Sequence, residues 1–457
     1  MPPDHQIPPP LRRNSAFQWL LGGSTLSMLG SRLTTIAYPL LVLAWHGSPV
    51  MAGLTVCAAN APSVLLYVPA GALVDRSADP RRTLIFAETV RGLAIAVIIL
   101  ALLLDWKHIP FVIAMAIVEE SFEVFATLAE LRYVRTLVRP DQASDAQVGM
   151  EARSHVVVLA GRALGGLLFG WAQCLPFIAD FLTFWISVLS VTGTRRGDKQ
   201  AASSTGAASP NLQAKRPKLR DLLGEVRVGW RELAGDDFVR TAFMLSAGMT
   251  LVSQALIIVF LEAAHSRHVS SFVIGSVLAA SGIGGLVGTL ISRWNLQPWN
   301  RSPLGFQPFV WAVMLLVLAF SGRLQIPVMA FVMTVLGLVG AMGNVELGTY
   351  LMRKVPDAKV ARVNSIEMVL DFAASAVGPA LGGLLTELWG TGTSILVLFA
   401  ASTLIALPAI GLKVPVIATP IRSMAAGEAP PSINPRSDSV LSSSHDDGHP
   451  IRQPALG

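Results

Sequence analysis

The stretch Gly71-Ala-Leu-Val-Asp75-Arg76-Ser-Ala-Asp-Pro-Arg81-Arg82 joins two long apolar segments, at 50–74 and 83–104. Each segment is long enough for a helix to cross the hydrocarbon core of a bilayer, which takes about 20 apolar residues. Because the connection is short, the two predicted helices run antiparallel and meet on one side of a membrane. Basic residues predominate in the connection, and Lys and Arg collect in cytoplasmic loops. The stretch therefore predicts a helical membrane protein with this loop in the cytoplasm.

The composition of the whole chain points the same way. Of its 457 residues, 52% are apolar and only 14% are charged, whereas soluble domains carry about 25% charged residues. This excludes a soluble multidomain protein and a disordered chain. The net charge of +6 is explained by basic residues that collect on one side of a membrane. We therefore expect no nucleic-acid partner.

Twelve apolar segments are predicted to be transmembrane helices. They cover 16–43, 50–74, 83–104, 108–131, 147–172, 174–193, 240–262, 270–292, 305–321, 326–350, 362–388 and 391–412. The predicted domains are a cytoplasmic N-terminus (1–15), a six-helix bundle (16–193), a cytoplasmic linker with an amphipathic helix (194–239), a second six-helix bundle (240–413) and a disordered cytoplasmic tail (414–457).

The side chains at the predicted helix ends orient the bundle. Basic residues cluster in the loops that lie on the side of the N-terminus, which places both termini in the cytoplasm. Trp45, Trp106, Trp171 and Trp389 fall at the predicted outer ends, as in an aromatic belt. Cys57 and Cys174 lie inside apolar runs, so we expect buried thiols and no metal site.

The two halves of the chain repeat each other. Ala163-Leu-Gly-Gly-Leu-Leu168 recurs as Ala380-Leu-Gly-Gly-Leu-Leu385, and Gly71-Ala-Leu-Val-Asp-Arg76 faces Gly288-Thr-Leu-Ile-Ser-Arg293, both at an offset of 217. Both halves hold an even number of helices, so the repeats are parallel, related by an axis along the membrane normal. Such an architecture puts a substrate site at the midplane between the halves.

The stretch at 71–82 resembles the loop signature of the major facilitator superfamily, in which Gly, three residues, Asp and Arg precede a basic pair. The resemblance implies a twelve-helix major facilitator fold in a bacterial cytoplasmic (inner) membrane. It also implies a gating motif, which consists of Gly71, Asp75, Arg76, Arg81 and Arg82. Gly71 is expected to let two helices approach closely. Asp75 is expected to meet the start of helix 11 near Asn364 and Ser365.

A second resemblance narrows the branch. Ser27-Met-Leu-Gly30-Ser-Arg32 and Glu88-Thr-Val-Arg91 are similar to the macrolide-efflux and enterobactin-exporter branch. Antiporters of the family often carry Gly-Pro-x-x-Gly-Gly on helix 5. Here helix 5 reads Gly161-Arg162-Ala-Leu-Gly165-Gly166, with Arg in place of Pro, while helix 11 reads Gly378-Pro379-Ala-Leu-Gly382-Gly383. These small residues predict close helix packing.

Charged residues inside the predicted helices are the main indication of mechanism. An ionised group at the membrane centre costs roughly 3 kcal/mol or more, so it is paired or functional. The predicted substrate and proton cavity contains Arg32, Glu119, Glu120, Glu123, Arg162 and Gln254. Three carboxylates against two guanidiniums leave one carboxylate to carry a proton. The alternative is a set of fixed ion pairs between helices, and the sequence leaves both open.

Two smaller groups of ionisable residues accompany this cavity. His155, Glu367 and Asp371 are a candidate second proton relay, while His155 could equally be a packing residue. Glu88 and Arg91 lie three residues apart on helix 3, which predicts an ion pair within that helix.

These observations predict a secondary transporter for a small molecule. The branch resemblance implies proton-coupled efflux of a drug-like compound, with protons, substrate and the lipid bilayer as partners, no cofactor and a monomeric state. The alternatives are uptake of a small organic anion, with Arg32 and Arg162 holding a carboxylate, and a non-transporting membrane scaffold. A primary pump is not expected, because the sequence contains no phosphate-binding loop motif. An intramembrane enzyme is not expected either, because most of the histidines fall in loops or tails.

Overall fold

Helices make up almost all of the described chain. The computed structural model describes residues 14–138, 142–193, 237–293, 303–321, 325–354 and 357–410. The predicted amphipathic helix of the linker and the predicted tail lie outside these residues. So do the side chains of His155, Asn364 and Ser365.

Twelve helices occur in the described residues, close to the predicted bounds. They are α1 (Ser15–Ala44), α2 (Pro49–Arg76), α3 (Pro80–Leu103), α4 (Ile109–Leu137), α5 (Ala143–Trp171), α6 (Leu175–Gly193), α7 (Asp237–His265), α8 (Ser271–Arg293), α9 (Pro303–Phe320), α10 (Ile326–Lys354), and α11 and α12, which share the run Asp357–Ile410. Gly390 breaks this run with φ 73° and ψ 168°, so α11 ends before it and α12 begins after it.

Local sequence explains where several helices begin. The side chain of Asn14 accepts a hydrogen bond from the backbone N–H of Phe17 and caps α1. Ser48 and Asp79 cap α2 and α3 in the same way, and each is followed by a proline at the first helical position. Proline suits that position because its missing N–H would have no partner there.

Eight described stretches are long and apolar enough to cross a membrane, and the last of them, Ile366–Pro408, includes both α11 and α12. The helix α4 is not among them, because three glutamates lie in its centre. Shorter apolar stretches occur in α5 (Val156–Trp171) and in α9 (Leu304–Phe320). The described helices outside the eight are thus the one with a charged centre and two whose apolar stretches are short.

Helix packing confirms the internal repeat. In the first bundle, α1 packs on α5 and α6, α2 on α4, and α3 on α4 and α6. In the second bundle, α7 packs on the run of α11 and α12, α8 on α10, and α9 on α10 and on that run. The two bundles meet where α2 packs on the run of α11 and α12 and where α5 packs on α8. Each pair has its counterpart six helices later, as a parallel repeat requires.

The four tryptophans predicted at outer ends lie at one end of the bundle, which we call the tryptophan end. Trp45 caps α1, Trp106 lies between α3 and α4, Trp171 ends α5 and Trp389 precedes the break at Gly390. Trp171 is 72% exposed and Trp106 and Trp389 are more than half exposed. Exposed indoles at helix ends are typical of a membrane–water interface.

Candidate functional site

A cavity of about 330 Å³ lies between the two bundles. Helices α1, α2, α4 and α5 line it from the first bundle, and α7, α8 and α11 from the second. Its charged and amide-bearing lining residues are Arg32, Asn60, Glu120, Glu123, Arg162, Gln254 and Asp371. Five of the six residues predicted for the cavity therefore line it, and Asp371 from the predicted second relay joins them.

Glycines place the two cavity arginines side by side. A Cβ on Gly161 of α5 would collide with the Cβ of Arg32, and a Cβ on Gly165 would lie 2.8 Å from the carbonyl oxygen of Leu33. Backbone contact between α1 and α5 therefore requires these glycines. Arg162 donates a hydrogen bond from Nη1 to Oγ of Ser281, at 3.0 Å, and so reaches across to the second bundle. The Nε atom of Arg32 is buried without a hydrogen-bond partner among the described residues.

The acidic residues of α4 divide between two environments. Glu120 and Glu123 line the cavity, whereas Glu119 is 1% exposed and does not. This corrects the prediction that all three glutamates belong to the cavity. Successive helical residues point about 100° apart, so Glu119 and Glu120 leave α4 in different directions even though their carboxylates lie close together.

Arg91 of α3 is the partner that the sequence analysis missed. Its Nη2 atom lies 2.7 Å from Oε1 of Glu119 and 2.9 Å from Oε2 of Glu123, and its Nη1 atom lies 3.7 Å from Glu88. The expected pairing of the α4 glutamates with Arg32 and Arg162 is therefore wrong for Glu119 and Glu123. The predicted pair of Glu88 and Arg91 is present, but Arg91 also reaches α4.

The surroundings of Arg91 complete a buried ion-pair cluster that links four helices. Nη2 of Arg91 also donates to Oγ of Ser31 on α1, at 2.7 Å. The guanidinium lies 4.5 Å from the ring centre of Phe184 on α6. Ser27 of α1 donates to both carboxylate oxygens of Glu88, at 3.0 Å each. We call Ser27, Ser31, Glu88, Arg91, Glu119 and Glu123 the Arg91 cluster. Its hydrogen bonds satisfy most of its charged atoms, as buried charge requires.

The carboxylate oxygens of Glu119, Glu120 and Glu123 lie within 4.8 Å of one another, close enough to hold a cation by distance alone. Arg91 already brings its guanidinium to two of them. The compensating positive charge at this cluster is thus a side chain of the protein.

Further ionisable groups lie around the cavity. Asp371 accepts a hydrogen bond from Oγ1 of Thr250, at 2.6 Å, while Glu367 is half-buried and does not line the cavity. Arg153 bonds Oε1 of Glu130 at 2.6 Å and also donates to Ser24. These contacts tie α7 to α11 and α4 to α5 and α1.

Asp180 of α6 is a buried acid that the sequence analysis did not single out. It is 0% exposed, accepts a hydrogen bond from Oγ1 of Thr34 at 3.2 Å, and has no partner for Oδ1 among the described residues. The absence of a side chain on Gly30 makes room for it. The available signal was one acid inside the otherwise apolar run Leu175–Gly193.

The predicted gating motif lies at the end opposite the tryptophan end. Arg81 donates to the carbonyl oxygens of Val191 and Thr192 at the end of α6, at 3.0 Å each. Asp75 and Arg76 are exposed, and Arg82 pairs with Asp79 at 3.3 Å on the surface. The expected partners of Asp75 lie outside the described side chains.

The expectation for Gly71 stays a prediction. A Cβ on Gly71 would meet nothing within 4 Å among the described residues, and the start of helix 11, its expected neighbourhood, lies outside the described side chains. The repeat counterpart of Gly71 does pack closely, because a Cβ on Gly288 would collide with the carbonyl oxygen of Leu338 on α10.

The glycine motifs of helices 5 and 11 form two matching crossings between the bundles. Gly383 of α11 packs on the backbone of Pro49, and Gly53 of α2 packs on the carbonyl of Pro379. In the other crossing, Gly166 of α5 packs on the backbone of Ser271. A Cβ on Gly275 of α8 would lie 2.5 Å from the carbonyl oxygen of Arg162.

Both crossings lie toward the tryptophan end, where α2 and α8 begin, and they close the cavity on that side. In the second bundle, Gly378 and Gly382 bring α11 onto the backbone of Leu251 and Ala255 of α7.

Comparison with known proteins agrees with this architecture. A family model for the Major Facilitator Superfamily matches residues 20–306 and 242–441. The chain is 26% identical over 412 residues to y4rN of Sinorhizobium fredii, an uncharacterized MFS-type transporter, covering 88% of this chain and 95% of that one. It is 23% identical over 394 residues to the multidrug efflux pump Tap of Mycobacterium bovis, covering 84% and 90% of the two chains.

Solved structures share the fold at low sequence identity. The nucleoside transporter NupG superimposes with a TM-score of 0.64 at 12% identity, over 86% of this chain and 98% of that one. A bacterial homologue of the iron transporter ferroportin, in an inward-facing state, gives a TM-score of 0.65 at 15% identity, over 88% and 99%. The family match over most of the chain and the duplicated twelve-helix arrangement lead to one conclusion: the protein belongs to the Major Facilitator Superfamily and is a multi-pass membrane transporter, not an enzyme.

Proposed function

We propose that this protein exports a small drug-like or secondary-metabolite compound in exchange for protons, by alternating access of the cavity to the two sides of the membrane. It works as a monomer in a bacterial cytoplasmic membrane, with both termini in the cytoplasm. Glu120 carries the proton, and the cavity between the bundles holds the substrate.

The environment of Glu120 is the observation that carries this proposal. Glu120 lines the shared cavity, and no ion pair joins it to a basic side chain in the described part of the chain. Its neighbours Glu119 and Glu123 are both held by Arg91. A carboxylate that faces an accessible cavity and has no fixed partner can bind a proton from one side and release it to the other.

The shape of the cavity supports alternating access. Two glycine crossings bring the bundles into backbone contact at the tryptophan end, whereas Gly71 at the opposite end has no close neighbour among the described residues. Backbone contact between the bundles at one end is what one of the two states of rocking bundles needs.

Two lines of similarity support export. Tap, which matches over most of both chains, is a multidrug efflux pump. The motifs at Ser27–Arg32 and Glu88–Arg91 resemble an exporter branch of the family. Arg162, where antiporters often carry proline, is the departure from that pattern.

Proteoliposomes with an imposed pH gradient test the proposal. Internal pH is followed as each compound of a drug-like panel is added to the full-length protein, and exchange makes the compound and protons move in opposite directions. We expect Glu120→Gln to abolish proton-driven exchange while equilibrium counterflow of the substrate continues. Glu130→Gln, whose partner Arg153 lies away from the cavity, is the control and should stay coupled. Normal proton-driven exchange by Glu120→Gln would refute the role of Glu120.

A second candidate function is uptake of a small organic anion together with a proton. Arg32, which lines the cavity and forms no ion pair among the described residues, favours it. The same vesicles discriminate between the two, because an external anion that enters with a proton acidifies the interior, whereas exchange makes it more alkaline.

A further inference from the structure

The cavity presents charges of both signs on separate helices. The basic groups are Arg32 on α1 and Arg162 on α5, and the acidic groups are Glu120 on α4 and Asp371 on α11. Glu123 also lines the cavity, but it is bonded to Arg91. The basic groups and the acidic groups without an ion pair therefore project into the cavity from different helices.

The two arginines form an incomplete anion site. Gly161 holds α5 against α1 at Arg32, so the two guanidinium-bearing helices are kept in contact. The two like charges repel each other. Arg162 bonds the neutral hydroxyl of Ser281, and Nε of Arg32 has no partner in the described chain. Two neighbouring guanidiniums with spare donors match the oxygens of a carboxylate or phosphate.

Glu120 provides a negative charge in the same cavity. Its charge interacts favourably with Arg32, yet the two side chains do not form an ion pair in the described structure. Asp371 uses one oxygen to accept from Thr250. Opposite charges that face one cavity without contact leave space for a group between them.

We propose that the substrate is zwitterionic: its anionic group binds Arg32 and Arg162, and its ammonium group binds Glu120 with the help of Asp371. The cavity volume of about 330 Å³ lies at the lower end of the range for small-molecule sites. This inference rests on the proposed exchange function and deepens it. An ammonium group on Glu120 excludes the proton from the same carboxylate, so substrate and proton bind in turn, as exchange requires.

Three probes of one skeleton test the charge requirement: phenylalanine, 2-phenylethylamine and 3-phenylpropionate. Two further skeletons, one short aliphatic and one bicyclic aromatic, are used in the same three charge forms. Binding to the purified full-length protein is measured by isothermal titration at neutral pH. We expect the zwitterion of at least one skeleton to bind about tenfold or more tightly than both single-charge forms, since each lost charge-assisted contact weakens binding by about that factor. If every zwitterion binds no better than its analogues, or if none of the nine probes binds, the inference is overturned.

Variants test which residues bind the anionic group and which bind the ammonium group. Arg162→Gln and Arg32→Lys should each reduce the advantage of the zwitterion over the amine, and Glu120→Gln should reduce its advantage over the acid. Lys107→Gln, in an exposed loop where Lys107 pairs with Asp105, is the control and should bind like the unmodified protein. Thermal unfolding checks that each variant folds, and the ordering of probes on the unmodified protein needs no variant. Unchanged selectivity in all three variants would overturn the assignment.

The two proposals fail in different ways. If apolar compounds drive proton exchange in proteoliposomes but zwitterions are not preferred, the exchange function stands and the substrate class falls. If zwitterions bind but no compound moves protons, the binding site stands and the exchange function falls.

Discussion

Arg91, Arg32 and Arg162 of the first bundle differ in how well their charge is satisfied. Arg91 contacts three carboxylates and a serine hydroxyl, and it is 3% exposed. Arg32 and Arg162 line the cavity with spare donors. Burial inside the bundle therefore does not by itself tell what an arginine does. A guanidinium whose donors all have acceptors links helices, whereas one with spare donors is available to a ligand.

The comparison also separates the two interpretations that the sequence left open. Fixed ion pairs between helices hold Glu119 and Glu123. Glu120, one residue along the same helix, is the carboxylate to which we assign the proton. The fixed ion pairs are thus present at two of the glutamates, and the proton site at Glu120 remains our proposal.

The largest change in the free energy of unfolding should come from removing Arg91 from the Arg91 cluster. Arg91→Leu leaves up to three buried carboxylates without compensation, and we expect a loss of about 3–5 kcal/mol in the free energy of unfolding. Arg162→Leu removes a charge that has no acidic partner, so we expect no loss. Thermal unfolding of both variants in one detergent measures the difference. Equal losses would mean that Arg162 is as structural as Arg91.

The next largest effect should come from the contact between Gly275 of α8 and the backbone of Arg162. Gly275→Ala places a methyl group 2.5 Å from the carbonyl oxygen of Arg162, and overpacking of this kind costs about 1–3 kcal/mol. Gly53→Ala makes the matching change at the other crossing, where the neighbour is Pro379. Both should lose stability to a similar extent, but only Gly275→Ala should weaken binding of the zwitterionic probes. Equal binding by the two variants would show that Arg162 tolerates a shift of α8.

Serine substitutions compare the hydrogen bonds of the two sites. Ser27→Ala removes the hydroxyl hydrogen that the two oxygens of buried Glu88 share, which should cost about 1–3 kcal/mol. Ser281→Ala removes a partner of Arg162, but water in the cavity can replace it, so the cost should stay below about 1 kcal/mol. Chemical denaturation resolves the two values. A larger loss for Ser281→Ala would contradict the distinction between the sites.

The smallest change in stability is expected at a glycine with no neighbour. Gly71→Ala should leave stability unchanged or raise it by up to about 1 kcal/mol, because alanine favours a helix more than glycine does. Transport should nevertheless slow, since the gating role requires Gly71 to pack closely once the cavity closes at that end. Unchanged turnover would remove Gly71 from the gate.

The sequence predicts the fold well because its signals are local. Apolar runs predict the helices, and basic loops and tryptophans predict where the helices end. The offset of 217 between Ala163 and Ala380 predicts the duplication. Proline and a capping residue mark the starts of α2 and α3. Gly161, Gly166 and Gly383 were predicted to allow close packing, and each meets a neighbouring helix.

Partners between helices were harder to predict, because sequence spacing reveals only neighbours within one helix. The pair Glu88 and Arg91 was visible at a spacing of three, but the reach of Arg91 to Glu119 depends on how α3 packs on α4. Asp180 was overlooked for the same reason, since its contact with Thr34 lies across 146 residues.

At the crossings between the bundles, main-chain atoms pack against glycines, and at one of them the Glu387 carboxylate of α11 also accepts a hydrogen bond from the backbone N–H of Val50 on α2, at 3.2 Å. The proposed binding site, by contrast, consists of side chains that line the cavity. Arg162 belongs to both, because its carbonyl oxygen lies against Gly275 and its side chain bonds Ser281. Replacing Arg32 or Glu120 should therefore change what the proposed site binds without touching the contacts between the bundles.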